Sequence, residues 1–368
     1  MRATSPIRSG NNVRIGADLA GWTGVTFVVP AHVEVDHTAD AAVPATLLPA
    51  MRTGVPLEIT APISATLRRG AERISEILRT WDRAIHPGAE WYRAVPLHAT
   101  ERAEVDGASA VGGTAAFFTG GVDSFHTLVT RREDIDALVF VRLLDRDHNP
   151  MLPVHAELVT RLSRVASSFD LPLIVVDTDI LPFGASAGVG WIDYHGAALA
   201  TVAHLLSPMF SRWFVPATAT YANLYPNGSH PLLDPCWSSD KVEIVHDGAW
   251  ATRVEKIQLL ADVPAAREHL QVCYEQLVAG YNCGRCEKCV RTGVGIRIAG
   301  VEGRFESVPA PSLRQVAGVQ INGLGRTWDD YRRQLGRSGA GQRLRRAIDV
   351  AFARRRIRSI RSGWGGHA

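Results

Sequence analysis

At 368 residues, 46% of them apolar, the chain is long enough for one large α/β domain plus a smaller one, and at a net charge of +3 its abundant arginine is weak evidence for nucleic acid. No apolar run approaches the roughly 18–20 residues that a membrane helix needs. The opening MRATSPIRSGNN has no apolar core behind its charges, so no signal peptide is expected and the chain is read as cytoplasmic.

The first 110 residues contain no catalytic constellation. Trp22 to Val29 and His32 to Asp36 read as two β-runs broken at Pro30, and Leu57 to Thr60 as a third strand. Ile63, Leu67, Ala71, Ile74, Leu78 and Trp81 fall at the spacing of an amphipathic helix, predicted over Ser64 to Trp81 and packing on that small sheet. Residues 85–113 read as loop with one strand. The segment 1–110 is expected to be a small α+β accessory domain, a dimer contact or a lid, and a homodimer is expected.

At Thr114 the pattern changes. Ala115 to Phe118 is a buried strand, then comes Thr119-Gly120-Gly121-Val122-Asp123-Ser124, then a helical pattern over Asp123 to Arg132. A strand, a glycine pair and a helix start make an oxyanion cradle. Glycines let main-chain N–H groups approach a phosphate, and the first helical turn carries unpaired N–H groups and partial positive charge. The alternative is ordinary turn chemistry with Asp123 as a helix cap. The spacing is neither GxxxxGK nor GxGxxG.

Ala137 to Leu143 is a second strand and Val154 to Phe169 a long helix. Leu173 to Val176 is a third strand, Tyr194 to Leu206 a helix, and Trp213 to Val215 a fourth strand. Strand–helix units of this length imply a parallel sheet with right-handed crossovers, where ligands sit beyond the carboxyl ends of the strands. By position, Asp145, Arg146, Asp147, His148, Asp177, Thr178, Asp179 and the long segment 217–239 become candidates. Within that segment Ser229, His230 and Asp234 are chosen as substrate contacts, because a loop this long in a compact domain is functional or disordered and its composition is not disordered. His195, near a helix N-terminus, joins them, whereas His204 reads as a satisfied histidine. Arg253 and Lys256 lie three apart on one face of a helix over Thr252 to Leu260. They are either paired cations for polyphosphate or a surface ion pair with Glu255 or another acid.

Cys273, Cys283, Cys286 and Cys289 give two overlapping CxxC steps and a fourth thiol upstream, the set that tetrahedral zinc requires, with Gly284 supplying the turn. Arg285 and Lys288 are expected to offset the charge of the thiolates. A reducing cytoplasm disfavours disulfides, a redox pair would leave two thiols unexplained, and an iron–sulfur cluster is the remaining rival. Cys236 is read as packed. The tail from Arg326 holds 12 Arg and 3 Asp. A helix over Arg343 to Arg361, with Leu344, Ile348, Ala351 or Phe352 and Ile360 on one side, is read as a solvated helix in preference to an RNA-binding arm.

The loop resembles the SGGxDS loop of the PP-loop ATP pyrophosphatases, with threonine at 119 in place of serine. With Cys273-Tyr274 and Cys283-Gly284-Arg285-Cys286-Glu287-Lys288-Cys289-Val290-Arg291, the chain is similar to the 7-cyano-7-deazaguanine synthases of that superfamily. The segment Ala251 to Ile257 resembles their LSKAEI helix, with Thr252-Arg253 at the Ser-Lys pair and Glu255 at the glutamate. The similarity covers about residues 114–300. It departs in the preceding 110 residues, at Trp191 to Gly196, at Leu144 to His148 and in the 217–239 loop, where an acceptor would sit.

The resemblance implies an α/β parallel-sheet PP-loop domain (adenine nucleotide alpha hydrolase-like) over 111–300. That domain would carry the zinc site in its C-terminal helical segment; from the residues alone, a small α+β domain over 1–110 is expected before it and a loop with an arginine-rich helical tail over 301–368 after it. It implies an AMP-forming C–N ligase that adenylates a small carboxylate for amide or nitrile formation with ammonia or another nucleophile. ATP, Mg²⁺ and Zn²⁺ are the expected cofactors. Phe118, Thr119, Gly120, Gly121, Val122, Asp123, Ser124, Leu143, Ala217 and Thr218 would contact ATP. Asp123 would cap the helix or hold Mg²⁺, Ser124 would bind pyrophosphate, and Arg253 and Lys256 would stabilise the leaving group. The alternatives are a tRNA-modifying PP-loop enzyme and a non-catalytic nucleotide-binding subunit of a defence complex.

Overall fold

A computed structural model describes residues 1–103, 112–147, 149, 155–273, 275, 282–321, 325–335 and 339–364, without the side chains of 155–156 and 358–364. The chain forms two compact units. One is Met1–Phe118, Thr127–Met151 and Ala166–Ala249; the other is Thr119–His126, Leu152–Val165 and Trp250–Ala368. His148 and Tyr274, singled out above, lie outside the described residues.

The first unit is built on a ten-stranded sheet. Its strands are β1 (Arg2–Ser9), β2 (Asn12–Leu19), β3 (Trp22–Val28), β4 (Leu57–Ile59), β6 (Leu97–His98), β8 (Gly113–Phe117), β9 (Ala137–Leu143), β10 (Leu173–Thr178), β11 (Phe210–Pro216) and β12 (Glu243–Asp247). Two further short strands, β5 (Ile63–Ser64) and β7 (Glu101–Arg102), pair with each other apart from it. The order is β12-β11-β8-β9-β10-β3-β2-β1-β4-β6. The five strands from β12 to β10 run parallel, as the alternating strand–helix pattern predicts.

The N-terminal strands do not form a sheet of their own. β3 pairs antiparallel with β10, Asp177 opposite Val28, and so extends the central sheet. Two of these strands are absent from the sequence reading. In β2, Val13, Ile15, Ala17 and Leu19 point inward with polar residues between them, the alternation of a strand buried on one face. Pro6 and a register shift interrupt β1, which hides its pattern. The run His32 to Asp36 is not a strand. Val33 N–H turns back to the Pro30 carbonyl at 3.0 Å, and Arg8 donates to the carbonyls of Val29, Pro30 and Val33.

The helices of this unit begin with α1 (Ala42–Thr53), which the prolines at 44 and 49 conceal in the sequence, and α2 (Ala65–Ile85). Ser64 caps α2 by accepting from Leu67 N–H at 3.4 Å. Leu67, Ala71, Ile74 and Leu78 are buried, the face that the 3-to-4 spacing predicts. Next in the chain come α3 (Val122–Thr130) and α4 (His155–Ser168), each divided between the two units, then α5 (Ile180–Ser186) and α6 (Trp191–Leu205).

The second unit continues with α7 (Arg253–Leu260), α8 (Pro264–His269), α9 (Glu287–Ile298), α10 (Leu313–Gly318), α11 (Arg326–Gln334) and α12 (Gly339–Trp364). Its own core joins Val254, Val290, Val294, Val316, Trp328, Tyr331, Leu344, Ile348 and Ala351. The arginine-rich helix therefore buries one face, including the predicted Leu344, Ile348 and Ala351. Among the described residues no helix is long and apolar enough to cross a membrane.

Candidate functional site

In the second unit the glycine turn leads straight into α3. Gly120 adopts φ +71°, and a Cβ there would lie 2.9 Å from Leu162 Cδ2, so this position requires glycine. Gly121 has no such constraint; a Cβ there would meet nothing closer than 3.4 Å. The Thr119 N–H donates to Ser124 Oγ at 3.3 Å, and Ser124 Oγ donates to the Gly121 carbonyl at 3.1 Å. Both hydroxyls of the predicted cradle therefore lie at the turn, 3.5 Å apart. Val122 and Ser124 are buried.

Asp123 opens α3 and gathers cations. Its carboxylate accepts from Lys256 Nζ at 3.1 Å and from Arg253 at 3.4 Å. The side chains of Lys256 and Arg253 are only 2% and 10% exposed. Of the two readings left open, the ion pair is with another acid, Asp123, and is buried, not with Glu255 at the surface. Glu255 instead completes a capping box with Thr252, its carboxylate accepting the Thr252 N–H at 2.7 Å while Thr252 Oγ1 accepts the Glu255 N–H at 3.3 Å. That box sets the start of α7 and sends Arg253 and Lys256 inward.

More positive charge surrounds this pair. Arg253 also donates to Thr292 Oγ1 at 3.1 Å, and Arg291 lies 3.4 Å from Glu287, whose carboxylate accepts the Trp328 indole N–H at 2.8 Å. Burial works to raise the Asp123 carboxyl, but Lys256, Arg253 and Arg291 outweigh it and hold it below the usual carboxylate range. Burial first, then Arg291 and Arg253, pull the Lys288 ammonium below its ordinary value, against Asp123 and Glu287. Arg253 Nε, Arg291 Nε and the Tyr331 hydroxyl are buried without a hydrogen-bond partner among the described residues. Four basic side chains thus share two carboxylates, and three donors wait for acceptors. Such a cluster suits a polyanion.

The four predicted cysteines come together in the same unit, every Sγ within 4.8 Å of the others. Cys283 and Cys289 are 3.8 Å apart, and Cys286 and Cys273 3.9 Å. Zinc–sulfur bonds of about 2.3 Å in a tetrahedron put sulfurs about 3.8 Å apart, so the set can hold a metal ion of that size. Gly284 takes φ +69°, as the turn requires, and the Cys286 N–H donates to Cys283 Sγ at 3.2 Å. Asn282 ties the knuckle together: its Oδ1 accepts from Val272 and Cys273 N–H, and its Nδ2 donates to the Leu270 and Ser307 carbonyls. Lys288 interacts with Asp123 and Glu287, and Arg285 is exposed, 3.8 Å from Glu275.

The remaining candidates lie in the first unit. Phe118, Leu143, Ala217 and Thr218 stand at or just beyond the carboxyl ends of β8, β9 and β11, which are parallel neighbours. Phe118 and Ala217 are buried and donate their N–H groups to Val139 and Asp247 carbonyls. Positional candidates after β10 are used by the fold: Asp177 pairs with Arg142 at 2.7 Å, Thr178 Oγ1 accepts Ile180 N–H, and Asp179 accepts Thr26 N–H at 2.8 Å. Asp145 folds its own loop by accepting from Asp147 and Asn149 N–H. His204 is a satisfied core histidine, bonded to the Trp237 carbonyl at 2.8 Å. Cys236 donates to the Leu232 carbonyl, and burial pushes its thiol up.

Ser229, His230 and Asp234 do meet. Ser229 Oγ donates to Asp234 at 2.7 Å, and the His230 N–H reaches the same carboxylate. His246, absent from the sequence reading, joins through Nδ1 at 2.6 Å. His195 lies on α6, bonded to the Trp191 carbonyl; burial lowers its pKa while Asp234 opposes the shift. No family model matches this chain, and no curated protein is significantly similar to it.

Proposed function

We propose that this chain is an ATP-dependent, AMP-forming C–N ligase of PP-loop type, with zinc as the structural metal of its four-cysteine centre. The observation that carries the reading is the buried excess of cations around Asp123 at the mouth of a glycine turn. A carboxylate substrate attacks the α-phosphorus of ATP, the bond to pyrophosphate breaks, and an acyl-adenylate forms. A nitrogen nucleophile then displaces AMP and loses a proton to give the amide; a nitrile would need a second ATP to adenylate the amide oxygen, which leaves with AMP as the C≡N bond forms.

In this reading, Thr119, Gly120, Gly121 and Ser124 bind the leaving pyrophosphate through main-chain N–H groups and hydroxyls. Arg253 and Lys256 neutralise charge that grows as pyrophosphate departs. Asp123 fits the task of holding those two cations in place; with both oxygens engaged it is poorly suited to ligate Mg²⁺. Magnesium would arrive with the triphosphate, held by phosphate oxygens and water. Zinc bound to the four thiolates would brace the polypeptide and supply no reacting atom.

The test is product analysis with ATP, Mg²⁺, ammonium and a panel of small carboxylates that includes 7-carboxy-7-deazaguanine. Carboxylate-dependent AMP and pyrophosphate are expected, reduced in Ser124→Ala and Asp123→Ala. ADP in place of AMP would sink the assignment, and tight ATP binding without either product would favour a non-catalytic subunit.

A further inference from the structure

The first unit holds a second buried constellation, separate in its chemistry from the cation cluster. Asp234 is 1% exposed, yet among the described residues no lysine or arginine pairs with it. Its carboxylate is surrounded by hydrogen-bond donors: the Ser229 hydroxyl, the His230 N–H and Nδ1 of His246. The His246 side chain is 4% exposed and stands near the end of β12, opposite Val215 of β11. That is the carboxyl edge of the parallel strands, where α/β sheets bind ligands.

A carboxylate on Nδ1 fixes the tautomer with the proton on Nδ1 and leaves Nε2 a bare acceptor. That Nε2 is buried with no partner among the described residues, and Asn227 Oδ1 in the adjoining loop is likewise an unpartnered buried acceptor. Leaving such atoms unpaired costs about 1–3 kcal/mol each. The loop that carries Ser229 is held tightly: Gly228 N–H bonds the Ile192 carbonyl at 2.8 Å, and a Cβ on Gly196 would lie 1.9 Å from the Gly228 carbonyl oxygen. Trp81 packs edge-on against His230, closing another side. Burial lowers the pKa of His195 and His230, which leaves them neutral neighbours. Here a buried carboxylate has no lysine or arginine partner among the described residues, and a buried ring nitrogen has no hydrogen-bond partner. Only the four cysteines converge closely enough for a metal ion among the described residues. The matching ligand is a small cation with N–H donors.

We propose that His246 Nε2, oriented by Asp234, binds ammonium or a small primary ammonium ion and accepts its proton. The N–H bond breaks, Nε2–H forms, and the electron pair stays on nitrogen as the free amine. The imidazolium so produced is stabilised by the Asp234 carboxylate. Use of that amine in amide formation rests on the ligase reading above; its binding does not.

The experiment is NMR of the whole protein labelled with ¹⁵N-histidine, with His246→Gln used to identify the resonances. Free protein is expected to show a protonated Nδ1 and a bare Nε2. Methylammonium chloride should shift Nε2 saturably, whereas tetramethylammonium chloride, which has no N–H, and sodium chloride should not. Asp234→Asn should weaken methylammonium about tenfold or more, the loss expected for one charge-assisted contact. Should that variant fail to fold, the wild-type tautomer and the tetramethylammonium control decide alone. A proton on Nε2 in the free protein, an equal shift with tetramethylammonium, or no saturable shift would overturn the proposal. If methylammonium binds but no carboxylate releases AMP, the ligase reading falls and the amine site stands; the reverse result removes the site and spares the ligase.

Discussion

Lys256 has few places to go. It is buried, its ammonium meets Asp123, and its removal strands that carboxylate beside fewer cations. Lys256→Met should cost about 3 kcal/mol in urea unfolding, the scale of a broken buried pair. Adding Asp123→Asn should recover most of that stability, yet pyrophosphate affinity should stay low in the double variant. Recovery of both would mean that the pair is structural only. The two glycines separate in the same way. Gly120→Ala forces a left-handed φ and a contact with Leu162, and should cost about 1–2 kcal/mol. Gly121→Ala, with an ordinary contact at 3.4 Å, should be nearly neutral for stability and harmful only to anion binding. Asp36 offers a pH test away from the site. Burial raises its carboxyl, but Lys241 at 2.8 Å, the Thr38 N–H and Ser207 more than compensate, drawing it from 3.8 down to about 2. The folded state therefore binds this proton less readily than the unfolded chain. The stabilisation, about 2 kcal/mol, is complete above the unfolded value and lost as pH falls through the folded one. The stability gap between wild type and Asp36→Asn should be flat near neutrality and close between pH 4 and 2.

At the level of elements, the cysteine knuckle and the glycine turn are joined by a short piece of chain. Gln271 N–H donates to the Gly120 carbonyl at 2.8 Å, and two residues on, Cys273 enters the sulfur cluster. Stripping metal with a chelator should free Cys273 and loosen this strap. Amide exchange should then rise at 119–125 as well as at 282–289, and pyrophosphate should bind more weakly. A rise confined to 282–289 would show that the two elements are independent. The cysteine spacing that builds this region was legible because it depends on residue type at short range. β9 was legible for the same reason, six of the seven residues of its Ala137–Leu143 run being apolar, with Arg142 the exception. Other elements were hidden. β1 carries Pro6, α1 carries two prolines, and β12 has only five residues with an acid at each end. His246 was missed with its strand, because nothing local in EIVHD connects it to Asp234 twelve residues earlier. The segment 217–239, which carries Asp234, signalled function only through its length and a composition that is not disordered.

For the molecule as a whole, the arginine tail poses the remaining question. An RNA-binding arm predicts that truncation at Arg326 abolishes activity, but the structure makes that cut ambiguous. It would remove Trp328, Tyr331, Leu344, Ile348 and Ala351, all buried in the core of the second unit. It would also remove the Trp328 indole that bonds Glu287 and the Arg332–Asp349 ion pair at 2.8 Å. Burying each large apolar side chain is worth about 1.5–3 kcal/mol, so the unit should unfold for reasons unrelated to RNA. The cleaner experiment keeps the core and removes charge. Arg343, Arg345 and Arg346 are exposed, whereas Arg354 is engaged with the Ala317 carbonyl and should be left intact. Changing those three exposed arginines to glutamine should shift the unfolding midpoint little, because surface charge contributes little to stability. ATP turnover on a small carboxylate should persist. A phosphate-backbone contact would instead appear as RNA binding whose salt dependence becomes shallower by about 0.7–0.9 per arginine lost. Loss of turnover together with that change would move the assignment to an RNA-directed enzyme; turnover retained would assign the tail to the packing of the second unit.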